Sequence, residues 1–407
     1  MSMLVKFLKN LVKPFVRRRD RGLQKDEEEL KAVAAIDNGV FCYETLALAT
    51  RNFSPKNKLG EGDYGPVFKG RLKDGRLVAV RRLRRLPWQC EKKFVGEAMK
   101  LSRLQHKNIV SLYGFCSQAE HKFLVFEYVA NMSLEKALFS RENKVLALML
   151  NWKWRYDMIF GVARGLLYLH EGANTPIIHG NIKASNILLD DSWCPKITDF
   201  AMSQLFQGGL SNTASRVTSS TEYMAPEYAM YGLLSPKADV FSFGVLIIEL
   251  ITGQKNSAFN PRTEASSLLE WAWNLHKNGK AMEMLDPALK STADAHLVLL
   301  CAHAGLLCAQ SDPKLRPDMG RLVLILTRKQ RAGLEEPIRP GSLGSSYRSK
   351  AHDLQDSSHS SMAESSASSS GAYNNTTTAS SSSFSFAAAS PTPSYSRQHI
   401  LESRHPS

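Results

Sequence analysis

With 407 residues, 43% of them hydrophobic, the chain has enough apolar material for a sizeable core and for two or three domains. A formal charge of +14 points toward an anionic partner, either nucleic acid or a membrane surface. The cysteines (Cys42, Cys90, Cys116, Cys194, Cys301 and Cys308) stand far apart with no C-x-x-C pair, which argues against a disulfide framework or a zinc site and for a reducing compartment.

Residues 1–22 carry Leu4, Phe7, Leu8, Leu11, Val12 and Phe15 at spacings of three and four, with Lys6, Lys9, Asn10 and Lys13 largely on the other side. Arg17, Arg18, Arg19 and Arg21 follow. The pattern predicts a basic amphipathic helix lying on an anionic membrane surface through residues 1–21. A solvated basic arm, a transit peptide or a nuclear signal are the blander readings. The lysines spoil a signal peptide, and Ser2 with no cysteine nearby removes myristoylation and palmitoylation. No uncharged apolar run reaches the roughly 18 residues of a membrane span; the stretch from Val240 to Thr252 is broken by Glu249. No transmembrane helix is predicted.

Residues 23–52 form a charged linker. It runs into Phe41, Leu46, Ala49 and Phe53, whose spacing predicts a short helix packed on the next domain. From 54 to 140 the chain alternates in a strand-like way, with a turn at Asp74-Gly75 and one helical stretch over 91–104. Gly60-Glu61-Gly62-Asp63-Tyr64-Gly65-Pro66-Val67 fits G-x-G-x-x-G-x-V between two apolar segments; alone, such a string is often only a hairpin turn. The next strand holds Val78-Ala79-Val80-Arg81. Strand alternation puts Ala79 and Arg81 on one side of it. Glu97 lies on the helical stretch, and Phe126-Glu127-Tyr128-Val129 closes the strand-rich part.

From 141 to 330 the pattern is helical. It contains His179-Gly180-Asn181-Ile182-Lys183-Ala184-Ser185-Asn186, then Asp199-Phe200-Ala201, Ala225-Pro226-Glu227, Asp239-Val240-Phe241-Ser242-Phe243-Gly244, and Arg316. Residues 331–407 are Ser-rich with few large apolar side chains. They are expected to form a disordered tail, a candidate phosphorylation substrate.

Taken in order, these strings resemble the landmarks of eukaryotic protein kinases: the Gly-rich loop, V-A-I-K, the catalytic loop H-R-D-[LI]-K-x-x-N, D-F-G and A-P-E. The Phe41–Phe53 lead-in and phrases such as "ARGLLYLHE" and "ADVFSFGVL" are similar to plant receptor-like kinases of the cysteine-rich subclass, in a form without ectodomain or transmembrane helix. The resemblance spans residues 41–330. It implies an α+β, two-lobed protein-kinase fold over 53–330, with a small mainly β N-lobe (53–130) and a larger α-helical C-lobe (131–330). It implies ATP and Mg²⁺ as cofactors if nucleotide binding is retained. Gly60, Glu61, Gly62 and Gly65 would cover the phosphates. Val67 and Ala79 would lie above the purine and Leu188 below it, with the backbone of Glu127 and Val129 at its edge. Asn186 and Asp199 would hold the metal, and Arg316 would pair with Glu227.

The departures from the family fall on the chemistry. Asn181 replaces the catalytic Asp and has no comparable basicity. Arg81 replaces the phosphate-binding Lys; it keeps the charge in a larger forked group, with a bidentate pair to Glu97 open to it. Gly180 replaces an Arg, Ala201 replaces a Gly whose freedom at φ > 0 a Cβ would restrict, Glu222 replaces a Gly of the substrate loop, and Asp63 adds a negative charge to the Gly-rich loop. The pattern reads as a pseudokinase. Its role would be scaffold or allosteric partner for other protein kinases or receptor complexes, at the cytoplasmic face of the plasma membrane or in the cytoplasm. The alternative is a weakly active serine/threonine kinase that uses water or Lys183 in place of the base. A nucleic-acid partner is disfavoured, because the positive charge concentrates at residues 6–21 and 81–85 and no nucleic-acid motif is present.

Overall fold

The computed structural model describes residues 39–62, 64–84, 88–139, 150–173, 175–206, 221–260, 265–331 and 333–341. The basic N-terminal segment, most of the linker, Asp63 and the Ser-rich sequence beyond 341 lie outside the described residues.

The N-terminal lobe is built on alternation. Strands β1 (Lys58–Gly62), β2 (Gly65–Arg71), β3 (Leu77–Arg82), β4 (Leu112–Gln118) and β5 (His121–Glu127) form one antiparallel sheet in the order β1-β2-β3-β5-β4. Successive side chains point to opposite faces, so Val78, Val80, Phe123 and Val125 make an outer apolar face. Helix α1 (Tyr43–Thr50) covers that face with Leu46, joined by Phe41 and Leu72. This is the short lead-in helix expected from the sequence. The inner face, with Leu124 and Phe126, packs on α2 (Trp88–Leu101) through Phe94, Ala98 and Leu101. The helical stretch therefore begins earlier than residue 91. It ends at 101, where Arg103 and Leu104 bond back only three residues.

The larger lobe contains α3 (Leu134–Phe139), α4 (Trp152–Leu167), the ribbon of β6 (Ile187–Leu189) and β7 (Pro195–Ile197), α5 (Ala201–Phe206), α6 (Pro226–Tyr231), α7 (Pro236–Thr252), α8 (Leu268–Lys277), α9 (Ala295–Cys308) and α10 (Met319–Arg328). Helix α7 is its post. Pro236 opens the helix, Gly253 ends it at φ +64, and every side chain from 238 to 252 is buried. A helix apolar on all sides has to be enclosed. Its closest neighbour is α9: a Cβ added to Gly244 would stand 2.7 Å from the Gly305 carbonyl oxygen, so the two backbones meet where neither carries a side chain.

Two acidic side chains on α7 are used inside this core. Asp239 accepts from the backbone N–H of His179 and of Gly180 at 2.7 Å each, and its Oδ2 lies 2.9 Å from His170 Nε2. Glu249 accepts from the Tyr223 hydroxyl at 2.6 Å and from the Asn256 N–H at 2.8 Å. The packed chain also runs on past residue 330, where the sequence sets the start of the tail. Gly341 N–H donates to the Ala309 carbonyl at 2.9 Å, Ile338 N–H donates to Gln310 Oε1 at 3.2 Å, and Pro337, Pro340 and Gly341 are buried. Prolines and one glycine settle there against α9 without a regular element, which leaves no periodicity to read. Among the described residues no helix is long and apolar enough to cross a membrane.

Candidate functional site

A cleft of about 760 Å³ opens between the sheet and the helical lobe. Gly60, Glu61 and Gly62 of β1 form its lip, and Val67, Ala79 and Arg81 its roof. Val67 and Arg81 are opposite each other in the β2–β3 register, which fixes their spacing. The end of β5 supplies Glu127, and the chain just after it supplies Val129. Leu188 lies on the β6 floor, and Asn181, Lys183, Asn186 and Asp199 complete the far end. Thr198 and Ser133 also line the cleft; no motif signature marks them.

Two of the expected site residues stand apart. Gly65 does not line the cleft: at φ +119 its backbone crosses so close to β3 that a Cβ would fall 2.1 Å from the Arg82 carbonyl oxygen, so it shapes the loop from behind. Glu97 is turned away. Its carboxylate pairs with Lys100 at 2.9 Å, and it borders a separate cavity with Tyr168 and Ile177.

Arg81 therefore does not pair with Glu97. Its Nη2 donates to Asp199 Oδ1 at 2.6 Å, in a pair with 10% and 12% side-chain exposure. The physical reason lies in α5, which packs against α2 directly after Asp199-Phe200. With α2 held there and Glu97 facing outward, the nearest carboxylate to the guanidinium is Asp199. Two further Arg81 nitrogens, Nε and Nη1, are buried with no hydrogen-bond partner among the described residues. The backbone also differs from the expectation for Ala201. Ala201 opens α5 fully buried, while Asp199 takes the left-handed conformation at φ +69. The Cβ of Ala201 thus meets no conformational restriction.

The loop beneath the cleft keeps its frame. His179 Nε2 donates to the Thr198 carbonyl at 2.8 Å, which leaves Nδ1 to accept from the Asn181 N–H at 3.2 Å. This is the neutral tautomer, and burial holds the imidazole below its ordinary pKa range. Asn186 Nδ2 donates to the Asn181 carbonyl at 2.9 Å, and Thr198 N–H donates to the Asn186 carbonyl at 2.9 Å. Gly180 stands at φ +74, so glycine suits this backbone independently of any lost arginine function. Behind the loop, Arg316 grips Glu227 through Nη1 and Nη2 at 2.6 and 2.8 Å, as the resemblance implies.

These residues divide the fit of a magnesium nucleotide in two. Val67, Ala79 and Leu188 make an apolar slot of the kind that takes a planar ring, and the two unpartnered Arg81 nitrogens are suited to an anion. A dication on Asp199 does not fit this arrangement. The carboxylate already holds a guanidinium, and two like charges within about 4 Å repel strongly where water is scarce.

The protein tyrosine and serine/threonine kinase family model matches residues 53–326. Cysteine-rich receptor-like protein kinase 10 of Arabidopsis thaliana is 46% identical over 302 residues, which are 74% of this chain and 44% of that protein. A probable LRR receptor-like serine/threonine-protein kinase of the same plant is 44% identical over 313 residues, covering 77% of this chain and 30% of that protein. The chain thus spans less than half the length of these relatives. Among solved structures, the pseudokinase domain of BIR2, described as an immune regulator of the RLK/Pelle family, superposes with a TM-score of 0.60 at 31% identity, over 72% of this chain and 87% of that one. The family match over residues 53–326, with a relative 46% identical over 74% of this chain, makes the chain a member of the protein kinase family of the plant receptor-like type.

Proposed function

We propose that this chain is a pseudokinase: a kinase fold that retains a nucleotide-sized cleft, does not carry out useful phosphoryl transfer, and serves as scaffold or allosteric partner to active kinases or receptor complexes. The observation that carries this reading is the Arg81–Asp199 ion pair, which occupies the family's metal-binding carboxylate with a protein cation. Phosphoryl transfer depends mainly on positioning and on charge stabilisation by metal. Here the carboxylate that would hold the metal is neutralised from within. At the hydroxyl side Asn181 has no carboxylate to accept a proton, a loss worth about 10²–10⁴ in rate by itself. The outward Glu97 leaves Arg81 no second acidic partner to draw it off Asp199.

Within this reading, the cleft takes ATP without Mg²⁺. The purine would lie between Val67, Ala79 and Leu188, and Arg81 would face the phosphate end of the cleft. When bound, a nucleotide would supply phosphate acceptors on the Arg81 side of the cleft, and this chain's residues would supply its orientation. The relative described as a pseudokinase, at 31% identity, supports the same assignment. Residues 1–21 provide the attachment to an anionic membrane surface.

The test is nucleotide affinity of the purified full chain with 5–10 mM Mg²⁺ (about that range) and with EDTA, beside a ³²P transfer assay. Equal or tighter ATP binding in EDTA, with transfer at background, is expected. Mg²⁺-dependent transfer that an Asp199→Ala variant abolishes would overturn the reading.

A further inference from the structure

On the side of the helical lobe formed by α8, α9 and the extended chain 333–341, His276, His303 and Glu336 bring their ligand atoms within 4.8 Å of one another. His276 sits in the last turn of α8, His303 is buried in the middle of α9, and Glu336 lies on the extended segment with its side chain in solvent. The two rings face each other, with His303 Nδ1 3.3 Å from His276 Nε2. On its far side His303 Nε2 donates to the Glu335 carbonyl at 2.9 Å.

That last bond fixes the chemistry. With the proton on Nε2, the Nδ1 of His303 carries a lone pair aimed at His276 and Glu336. Metal-bound histidines are commonly oriented in this way, one ring nitrogen donating to a backbone carbonyl and the other facing the ion. The spacing agrees. Two imidazole nitrogens bound at about 2.0–2.1 Å to one tetrahedral ion stand about 3.3–3.4 Å apart. The exposed Glu336 carboxylate, within 4.8 Å of the facing ring nitrogens, would be the third ligand, with water as the fourth. Arg331 brings a positive charge toward both rings, and Glu335 and Glu336 oppose it. Without an ion, the same contact is an N–H···N hydrogen bond in which His276 donates.

We infer that His276, His303 and Glu336 form a binding site for a transition-metal dication of the Zn²⁺ type, which fastens the extended segment after α10 to helices α8 and α9. Two imidazoles and one carboxylate suit Zn²⁺, whereas Mg²⁺ prefers an all-oxygen octahedron. The ligands come from three separate stretches and include no thiolate, so cysteine spacing gives no sign of the site.

The experiment uses the untagged full chain, stripped with EDTA and desalted, titrated calorimetrically with ZnCl₂. The arms are the wild type, His276→Ala, Glu336→Gln and, as a control on α9 outside the cluster, His296→Ala. All four are first shown by circular dichroism to be folded; His303→Ala is avoided because that ring is buried. One equivalent should bind to the wild type and to His296→Ala. Affinity should fall at least about tenfold in Glu336→Gln and further in His276→Ala. Substitution with Co²⁺ should give visible absorption of a four-coordinate ion in the wild type and lose it in His276→Ala. Absence of stoichiometric Zn²⁺ binding to the wild type, or equal affinity in the wild type and His276→Ala, would overturn the inference and leave the contact a plain hydrogen bond.

Discussion

Arg81 and Asp199, 118 residues apart in the chain, are joined at 2.6 Å across the roof and floor of the cleft, so the roof strand supplies a cation to the carboxylate below it. Each residue is separately compatible with nucleotide chemistry. Together they set the site in a different charge state, with one guanidinium counted where a metal would otherwise be.

Repairing the missing base alone should therefore recover little. Asn181→Asp returns a carboxylate to the loop but leaves Asp199 engaged by Arg81, and groups that act as a unit are strongly non-additive. Transfer of ³²P to a generic basic substrate should stay at background for the wild type and for Asn181→Asp. The double variant Arg81→Lys, Asn181→Asp should give the first clear signal, because a compact ammonium lacks the forked guanidinium that holds Asp199. A strong signal from the single repair would show that the ion pair does not limit the chemistry.

The anchors of the helical lobe should be costly to break. Arg316 is fully buried and its guanidinium bonds Glu227 twice, with further bonds to the carbonyls of Gln310 and Lys237 at 2.8 Å each. Removing it strands Glu227, which is about 3–5 kcal/mol for a buried pair. Changing Lys153 of the exposed Lys153–Asp157 pair to Ala should cost far less, because solvent screens that pair. Urea unfolding followed by tryptophan fluorescence distinguishes the two; similar midpoints would contradict the assignment.

Glu249 should make stability fall as pH rises. Burial pushes its carboxyl up from 4.5 to about 7, ahead of the opposing bonds from Asn256 and Tyr223. Between those values the folded protein keeps the proton that the unfolded chain has released. The stabilisation is therefore full below the lower value and is lost as pH passes the upper one. The shift corresponds to about 3 kcal/mol. Glu249→Gln should flatten this loss relative to the wild type in melts taken from acid to neutral pH, and parallel profiles for the two proteins would refute it.

Membrane attachment should rest on residues 1–21, which lie outside the described residues. Each Lys or Arg near an anionic surface is worth about 1 kcal/mol. Changing Arg17, Arg18 and Arg19 to Glu should release the protein from vesicles rich in phosphatidylserine in a sedimentation assay. Retention of that variant would place the attachment elsewhere in the chain.

What was legible in the sequence was what is local. The Gly-rich loop, Val78–Arg81, the 179–186 string and the 225–227 triplet each sit within one short element, so residue type and spacing identify them. The assembly of the first three at one cleft follows from the family's fold, while the 225–227 triplet lies behind the loop on Arg316. What could not be read was a choice between partners. Arg81 has two carboxylates to select from, and packing of α5 against α2 decides between Glu97 and Asp199. The backbone at Ala201 escaped for a similar reason: the left-handed residue of that turn is Asp199, two positions earlier. The packing of 333–341 escaped because an extended strip held by backbone bonds to Ala309 and Gln310 has no hydrophobic period.

The carboxylate of Asp239 carries a last consequence. It grips the backbone N–H groups of residues 179 and 180 from a helix of its own, and Asn181 joins that frame through its main-chain N–H and carbonyl. The shape of the loop is thus insured by a different element from the one whose side chain would do the chemistry. The backbone of the loop therefore keeps its course whatever side chain stands at 181, because Asp239, His179 and Asn186 hold it through main-chain atoms.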